Sequence, residues 1–252
     1  MQMTGNTILI TGGGSGIGRG LAEAFHAKGN KVIIAGRRKA LLQDVAKNNS
    51  GMAIAEFDIS AAAGIPAFAQ QIAIDHPTLN VVIHNAGIMQ SEAMSKAPEN
   101  LATVEATVTT NILGPMRLTA ALLPHLLAQK QSTIMTVSSG LAFVPLAFTP
   151  TYSASKTAIH FWSESIRQQL KDTSVKVIEL APPYVQTELM GKHQASDPNA
   201  MPLSDFVAEV MSLLEAHPEA KEIIVERCKP LRNAEATGNY KKMFEMINSA
   251  FH

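Results

Sequence analysis

The sequence predicts an α/β fold in which helices cover both faces of a doubly wound parallel sheet of about seven strands. Three observations support this prediction. Short apolar runs alternate with segments of helical periodicity, a glycine-rich turn follows the first run, and small or polar residues follow several later runs. Right-handed crossovers place helices on both faces of such a sheet, and ligands bind beyond the carboxyl ends of its strands. The 252 residues, 46% of them hydrophobic, predict one domain covering 1–252.

Composition narrows the classes of partner. The chain has 21 basic and 21 acidic residues and no Lys/Arg cluster, so we expect neither nucleic acid nor an anionic membrane as a partner. The N-terminal residues lack a basic region and a long apolar run, which predicts a cytoplasmic protein without a signal peptide or membrane span. Cys228 is the only cysteine, which excludes an intrachain disulfide and a Cys-rich metal site. A small molecule or a second copy of the chain is the expected partner, and we expect no metal.

Seven apolar or β-branched runs are the candidate strands. They cover 7–10, 31–35, 52–58, 80–84, 132–137, 175–180 and 222–225. Helical periodicity extends over 107–127, where Asn111 and Pro115 interrupt the pattern. An interior proline removes a helical hydrogen bond, so we expect a kink or a widened turn at this point.

The first strand leads into Thr11-Gly12-Gly13-Gly14-Ser15-Gly16-Ile17-Gly18, and helical periodicity follows. Glycines let the backbone approach a pyrophosphate, and the N–H groups at the start of the helix favour an anion. The spacing G-x-x-x-G-x-G differs from the usual G-x-G-x-x-G, but the phosphate chemistry is the same. A glycine turn alone can be purely structural; its place between a strand and a helix favours nucleotide binding.

The second strand ends in Gly36-Arg37-Arg38. An acidic residue at this position would bind an adenosine ribose 2′-OH, whereas an arginine accommodates a 2′-phosphate. The pair of arginines therefore favours NADP(H) over NAD(H). The alternative is that both arginines only solvate a loop.

Tyr152 and Lys156 lie four positions apart in a helical pattern, so their side chains share one helix face. An adjacent ammonium favours the phenolate and is expected to lower the pKa of Tyr152 towards a useful range. Such a pair also occurs by chance on helix surfaces. The catalytic interpretation of the pair is favoured by the motifs that precede it in the chain, which are Asn85-Ala86-Gly87, Asn111 and Ser139.

Together these residues resemble the classical branch of the short-chain dehydrogenase/reductase (SDR) family, over most of the chain from Thr11 to Thr187. The glycine turn resembles the cofactor turn of that family, and Asn85-Ala86-Gly87 its sheet-stabilising motif. Asn111, Ser139, Tyr152 and Lys156 match its catalytic tetrad. The resemblance implies a Rossmann-like fold that binds the cofactor through Gly12, Ser15, Gly16, Ile17, Gly18, Arg37, Arg38, Asp58, Ile59, Asn85, Ala86, Gly87, Tyr152, Lys156, Pro182, Val185 and Thr187.

The resemblance also implies a mechanism. NADPH would supply hydride to a carbonyl carbon, Tyr152 would donate the proton and Ser139 a second hydrogen bond. Lys156 would bind the nicotinamide ribose and lower the pKa of Tyr152. Asn111 would hold a water that carries protons onward from Lys156.

Two positions depart from the family pattern. Pro183 stands where the family usually has glycine, which leaves the local cofactor contacts open because proline has no N–H to donate. His84 stands where Asn is common. The run Glu-Leu-Ala-Pro-Pro at 179–183 is similar to a bacterial sub-branch, the DltE-type oxidoreductases.

Apolar residues near the predicted centre suggest an apolar or aryl carbonyl substrate. They are the segment 141–148 with Ile88, Met89, Tyr184, Leu189 and Met190. They are equally consistent with packing beneath a lid, which we place at 188–204, or with a subunit contact. The helix faces over 107–127 and 152–170 predict a homodimer or homotetramer, by resemblance to the family.

The sequence thus favours an NADPH-dependent carbonyl reductase or alcohol dehydrogenase. One different possibility is a regulatory protein that senses NADP(H) without turnover. Another is an enoyl reductase or an epimerase on the same scaffold.

Overall fold

A computed structural model describes residues 1–249, except for the side chains of residues 97 and 98. Its strands are β1 (Thr7–Thr11), β2 (Lys31–Gly36), β3 (Ala53–Glu56), β4 (Leu79–His84), β5 (Ser132–Val137), β6 (Val175–Ala181) and β7 (Glu222–Ile224). All pair in parallel, in the order β3-β2-β1-β4-β5-β6-β7. The predicted seven-stranded parallel sheet is confirmed.

Helices connect the strands. They are α1 (Gly16–Ala27), α2 (Lys39–Asn48), α3 (Ile65–Asp75), α4 (Ala97–Val108), α5 (Gly114–Leu127), α6 (Pro150–Gln169), α7 (Lys192–Ala195), α8 (Leu203–Ala216), α9 (Lys229–Arg232) and α10 (Tyr240–Ser249). No helix within residues 1–249 is both long and apolar enough to cross a membrane.

Both faces of the sheet are buried beneath helices. Successive side chains of a strand point to opposite faces, so β1 contributes to two apolar clusters. In β1, Ile8 and Ile10 join an apolar cluster with α1, α2 and α8, whereas Leu9 joins another with α3 and α5. Two helical layers therefore cover one sheet, as the sequence predicts for a single doubly wound domain.

The interruption predicted near Asn111 is a π-helical turn, Thr109–Leu113, between α4 and α5. Pro115 follows this turn in α5, whose helical path continues from the π turn without a break; proline has no N–H to donate, and the hydrogen-bond pattern changes at this point. The expected widened turn is confirmed, and such turns are frequent at functional sites.

The third strand is shorter than predicted. It ends at Glu56 rather than at Asp58, because the backbone turns and the Asp58 carboxylate accepts hydrogen bonds from Ser60 N and Ser60 Oγ at 2.9 and 2.7 Å. Asp58 therefore lies in the loop that follows the strand.

Candidate active site

Ser139 and Tyr152 meet beyond the end of β5. Ser139 caps a single 3₁₀ turn, where its Oγ accepts a hydrogen bond from Leu141 N at 3.1 Å. Tyr152 lies in the first turn of α6, is only 6% exposed, and lies near enough to the Ser139 side chain for that group to affect its pKa. The two hydroxyls that the sequence separates by thirteen positions are thus brought together.

Lys156 lies one helical turn beyond Tyr152 and is equally buried. Its Nζ donates to the Val137 carbonyl at 2.7 Å and stands 5.5 Å from the centre of the Tyr152 ring. Burial lowers the pKa of Lys156 to about 8, although the charge of Glu179 opposes this effect. The ammonium is therefore close to losing its proton in the physiological range.

The expected lowering of the Tyr152 pKa is wrong for this arrangement. Burial raises the pKa of Tyr152 to about 12, and the nearby Ser139 side chain offsets only part of that increase. Desolvation outweighs the neighbouring cation because the phenol is fully enclosed and the Lys156 ammonium is directed at the Val137 carbonyl. Tyr152 holds its proton firmly at neutral pH.

Asn111 uses its whole amide in contacts with the protein. Its Nδ2 donates to Ile88 O at 2.9 Å and Ser155 Oγ at 3.0 Å, while its Oδ1 accepts from Ile88 N at 2.9 Å. The side chain thus joins the π-helical turn, the segment after β4 and helix α6. Its expected role in holding a water stays a prediction.

Gly87 lies where Asn111 and Lys156 converge. A Cβ at Gly87 would stand 3.3 Å from Asn111 Oδ1 and 3.7 Å from Lys156 Nζ. The predicted Asn85-Ala86-Gly87 motif therefore borders the proposed catalytic groups directly.

The glycine turn is fastened to this motif. Asn85 Nδ2 donates to Thr11 O at 3.0 Å, and Thr11 Oγ1 accepts from Asn85 N and Ala86 N at 3.1 Å each. A Cβ on Gly18 would come within 2.3 Å of Asn85 Nδ2 and 2.4 Å of Gly12 O. Only glycine fits there, so the sequence at this turn serves close packing as well as ligand approach.

The start of α1 suits a pyrophosphate. Gly12 and Gly16 have φ of +69° and +53°, which glycine adopts without strain. Within the described chain the Ser15 side chain forms no capping hydrogen bond with α1, which leaves the first N–H groups and the helix dipole to an anion. Ile17 packs against the core beneath the turn. The residues present therefore fit the diphosphate of a dinucleotide.

The two arginines lie at the edge of this cradle. Arg38 Nη2 donates to Ser15 Oγ at 2.9 Å, and both guanidinium groups are exposed. Burial opposes ionisation of Asp58, but hydrogen bonds from Ser60 and the charge of Arg37 outweigh it and lower the pKa of Asp58. Ile59 beside it is buried against α3 and α5. A cationic rim thus faces the position expected for an adenosine ribose.

The chain after β6 returns to the same edge of the sheet. Pro182 O accepts from Gly140 N at 2.8 Å, so the two prolines lie beside the turn that carries Ser139. Thr187 stands 3.4 Å from the Cβ position of Gly16. Val185 and Thr187 both accept hydrogen bonds from Gln194 Nε2, at 2.8 and 3.1 Å. Thr187, a predicted cofactor residue after β6, therefore lies beside Gly16 of the glycine turn.

Sequence reasoning missed three buried polar residues around the centre. Glu92 accepts from Thr151 N and Thr151 Oγ1 at 3.1 and 2.6 Å and so caps the helix that carries Tyr152. Glu179 and His160 pair beneath Ser138. In the sequence, Glu179 stands out as a carboxylate within the apolar run of β6. The roles of Glu92 and His160 are visible only from their hydrogen-bond partners in the structure.

Part of the apolar segment expected to line a substrate pocket faces elsewhere. Residues Ala142, Phe143, Pro145, Leu146 and Ala147 line an open cavity of about 680 Å³, closed on its far side by Tyr240 and Phe244 of α10. Neither Ser139 nor Tyr152 is among the described residues that line this cavity. The segment thus packs against α10 as well as beside the centre.

A family model described as short chain dehydrogenase matches residues 6–198. The chain belongs to the short-chain dehydrogenase family. It is 38% identical over 252 residues to the uncharacterized oxidoreductase DltE of Bacillus subtilis (strain 168), covering 99% of each chain. Membership confirms the family and the sub-branch resemblance, and it makes the chain a member of an oxidoreductase family that uses nicotinamide cofactors.

Solved structures of this short-chain dehydrogenase family share the fold. A short chain dehydrogenase from Burkholderia cenocepacia J2315, in complex with NADP, superposes with a TM-score of 0.81 at 24% identity, covering 98% of this chain and 99% of that one. An SDR from Burkholderia phymatum, in complex with NAD, gives 0.81 at 17% identity, covering 98% and 97%. The Rossmann-like architecture is thus confirmed independently of the sequence argument.

Proposed function

We propose that the protein is an NADPH-dependent carbonyl reductase, which converts a ketone or an aldehyde to an alcohol by reversible hydride transfer. The observation that carries this proposal is the approach of the Ser139 and Tyr152 side chains beside the buried Lys156, at the same sheet edge as the glycine turn. A phenol and a hydroxyl converging on one point suit a carbonyl oxygen that gains negative charge.

The residues of the chain would divide the work as follows. Tyr152 donates its phenolic proton to the carbonyl oxygen, and the Ser139 hydroxyl donates a second hydrogen bond to that oxygen. The Lys156 ammonium binds the ribose hydroxyls beside the nicotinamide and returns a proton towards Tyr152. A bound nicotinamide cofactor supplies the hydride.

The pKa of Tyr152 supports the reductive direction. A phenol with a pKa of about 12 carries its proton at neutral pH, as a proton donor requires. Alcohol oxidation needs the phenolate instead, which the enclosed site disfavours. Reduction is therefore the direction that we propose to be faster near neutrality.

The preference for NADPH rests on Arg37 and Arg38. Two exposed guanidinium groups beside Ser15 suit a 2′-phosphate, which arginine binds with paired, charge-assisted hydrogen bonds. The similar Burkholderia cenocepacia protein was solved with NADP, which supports the same choice. The Burkholderia phymatum protein was solved with NAD, and an assay with both cofactors measures the preference of this chain.

The decisive experiment is an assay of NADPH and NADH oxidation with a panel of aliphatic and aryl ketones and aldehydes. We expect turnover with NADPH, lost by about 10²–10⁴-fold in Tyr152→Phe. Tyr240→Phe is the matched control, since Tyr240 is 39% exposed on α10 and stacks on Phe244 away from Ser139 and Tyr152. NADP(H) binding without turnover would favour a sensor, and turnover of an enoyl or epimerisable substrate alone would favour an enoyl reductase or an epimerase.

Three further expectations belong to this proposal. The segment 188–204 would act as a lid, because Gln194 ties it to the chain beside the glycine turn.

A homodimer or homotetramer is supported by Leu101 of α4 and Phe161 of α6, which are 55% and 60% exposed. Light scattering on the purified protein measures the assembly. The cytoplasmic location stays a prediction.

A further inference from the structure

A fully buried carboxylate lies beneath the catalytic groups. Glu179 in β6 has no exposed surface, and its neighbours in the strand are apolar. Its Oε1 accepts a hydrogen bond from Ser138 Oγ, and its Oε2 lies 2.8 Å from His160 Nδ1. A buried charge is costly unless it is paired and hydrogen-bonded, so this arrangement needs a reason.

The two partners of Glu179 connect it to both elements of the proposed centre. Ser138 directly precedes Ser139 at the end of β5, and His160 lies one turn beyond Lys156 on α6. Each carboxylate oxygen therefore holds one element. Glu179 thus links the end of β5 to α6, beside the direct bonds between Lys156 Nζ and Val137 O and between Thr136 Oγ1 and Ser163 Oγ.

Charged groups of alternating sign surround the carboxylate. Burial lowers the pKa of Lys156 and the charge of Glu179 opposes it, while the hydrogen bond to Glu179 raises the pKa of His160. Behind them Glu222 of β7 pairs with Arg232 through bonds of 2.7 and 2.9 Å. The titratable and charged groups that face this cluster, from α6, β7, α9 and the turn before α9, are Lys156, His160, Glu164, Arg167, Glu222, Cys228 and Arg232.

A metal ion is not the better explanation of the cluster. His160, Glu179 and Glu222 place ligand atoms within 4.8 Å of one another. The carboxylates are already engaged, Glu179 by Ser138 and His160 and Glu222 by Arg232. A cation would have to displace these bonds.

We infer that Glu179 is a positioning residue for the proposed reaction, which sets Ser139 through Ser138 and keeps the Lys156 ammonium charged through its own negative charge. This inference rests on the proposed function. It adds a residue that the catalytic tetrad does not contain and gives it two separable effects, one on geometry and one on charge.

Glu179→Gln separates the two effects. Glutamine keeps the shape, an oxygen for Ser138 and an N–H for a neutral His160, but it removes the charge. We expect the alkaline limb of kcat to move to lower pH, with about a three- to tenfold loss of kcat just above pH 8, because each pH unit changes the ratio of charged to neutral amine tenfold. Glu219→Gln is the control, since the described partners of Glu219 are Lys176 and the N-terminal amine, which are not part of this cluster.

Ser138→Ala tests the geometric effect. It removes the hydrogen bond to Glu179 but leaves the charge, so we expect a lower kcat at every pH with the alkaline limb in its wild-type position. An unchanged kcat in Ser138→Ala together with an unchanged limb in Glu179→Gln would overturn the inference. A purely structural role would lower the melting temperature of both variants without moving the limb, which also overturns it.

A second readout does not depend on turnover. The ¹³Cε signal of Lys156, assigned by its loss in Lys156→Arg, is titrated in labelled protein without nucleotide. We expect its midpoint to fall in Glu179→Gln and to stay at the wild-type value in Glu219→Gln; equal midpoints in all three proteins contradict the inference. Absence of NADPH oxidation by the wild type would defeat the proposed function, while this titration still reports the effect of Glu179.

Discussion

Asn111 and Ile88 hold each other through a reciprocal pair of hydrogen bonds: the Asn111 amide donates to the Ile88 carbonyl and accepts from the Ile88 N–H, both at 2.9 Å. The Asn111 side-chain amide thus satisfies both the N–H and the C=O group of Ile88, as a residue of a neighbouring strand would. It fixes the segment after Gly87, which borders Lys156. Asn111 lies within the π-helical turn, so this bond pair joins that turn to the segment after β4.

Asn111→Ala should therefore destabilise the fold as well as impair activity. It leaves Ile88 N and Ile88 O without their partner and removes the bond to Ser155. We expect a loss of about 1–3 kcal/mol in the free energy of unfolding, measured with urea. Asn239→Ala, which removes only an exposed bond to Thr237, is the control and should stay within about 0.5 kcal/mol. Equal stabilities for the two variants would contradict this role.

Gly18→Ala should disrupt the cofactor turn. A new methyl group would stand 2.4 Å from Gly12 O, and backbone cannot move aside cheaply. We expect a destabilisation of about 1–3 kcal/mol, seen as a lower melting temperature, and a loss of dinucleotide binding in calorimetry. Gly64→Ala adds the same methyl group where nothing lies within 4 Å and φ is negative. If Gly64→Ala proved equally damaging, close packing at Gly18 would not be the cause.

Replacement of Arg37 and Arg38 by alanine should weaken NADPH binding selectively. Hydrogen bonds to charged groups contribute about 1.5–3 kcal/mol, so the KM for NADPH should rise about 10- to 100-fold. The KM for NADH should change less than about twofold, since NADH has no 2′-phosphate. Replacement of Lys130 and Lys171 by alanine removes two exposed positive charges elsewhere and controls for net charge. A parallel rise in both KM values would show that the arginines serve another purpose.

The pKa of Lys156 predicts a pH dependence of both activity and stability. Because the ammonium loses its proton as pH rises through about 8, the kcat of reduction should fall on the alkaline side. The unfolded chain keeps that proton up to the ordinary value of 10.5, so it binds more protons than the folded chain between the two values. The free energy of unfolding of the wild type, relative to Lys156→Met, should therefore rise with pH across this window. A difference that stayed flat would contradict the burial of the charged amine.

Gln194→Ala should loosen the segment 188–204. Gln194 is buried and connects this segment to Val185 and Thr187, while its Oε1 accepts from Met190 N at 3.0 Å. We expect faster proteolytic cleavage within 188–204 and a higher KM for substrate, with the melting temperature nearly unchanged. Gln71→Ala on the exposed face of α3 is the control. Unchanged cleavage would mean that the segment needs no such tether to keep its place.

The sequence predicts those parts of the molecule that local patterns encode. The apolar runs, the glycine turn and the helix interruption at Asn111 each depend on residues close together in the chain, and the structure confirms all three. The pKa of Tyr152 was predicted in the wrong direction because it depends on how much protein encloses the phenol, which spacing does not encode. Glu179 lies 41 positions from Ser138 and 19 from His160, so their network emerges only when the sheet and α6 are packed together.

The strand order has a consequence for the order of events when the protein folds. β1 contributes the glycine turn and pairs with β4, which leads into the half of the chain that carries Ser139, Tyr152 and Lys156. Neither half contains the complete centre, and pairings between distant segments form slowly. During renaturation from urea, helical signal should therefore return before NADPH oxidation does, and the regained enzymatic rate would time the moment at which the two halves dock.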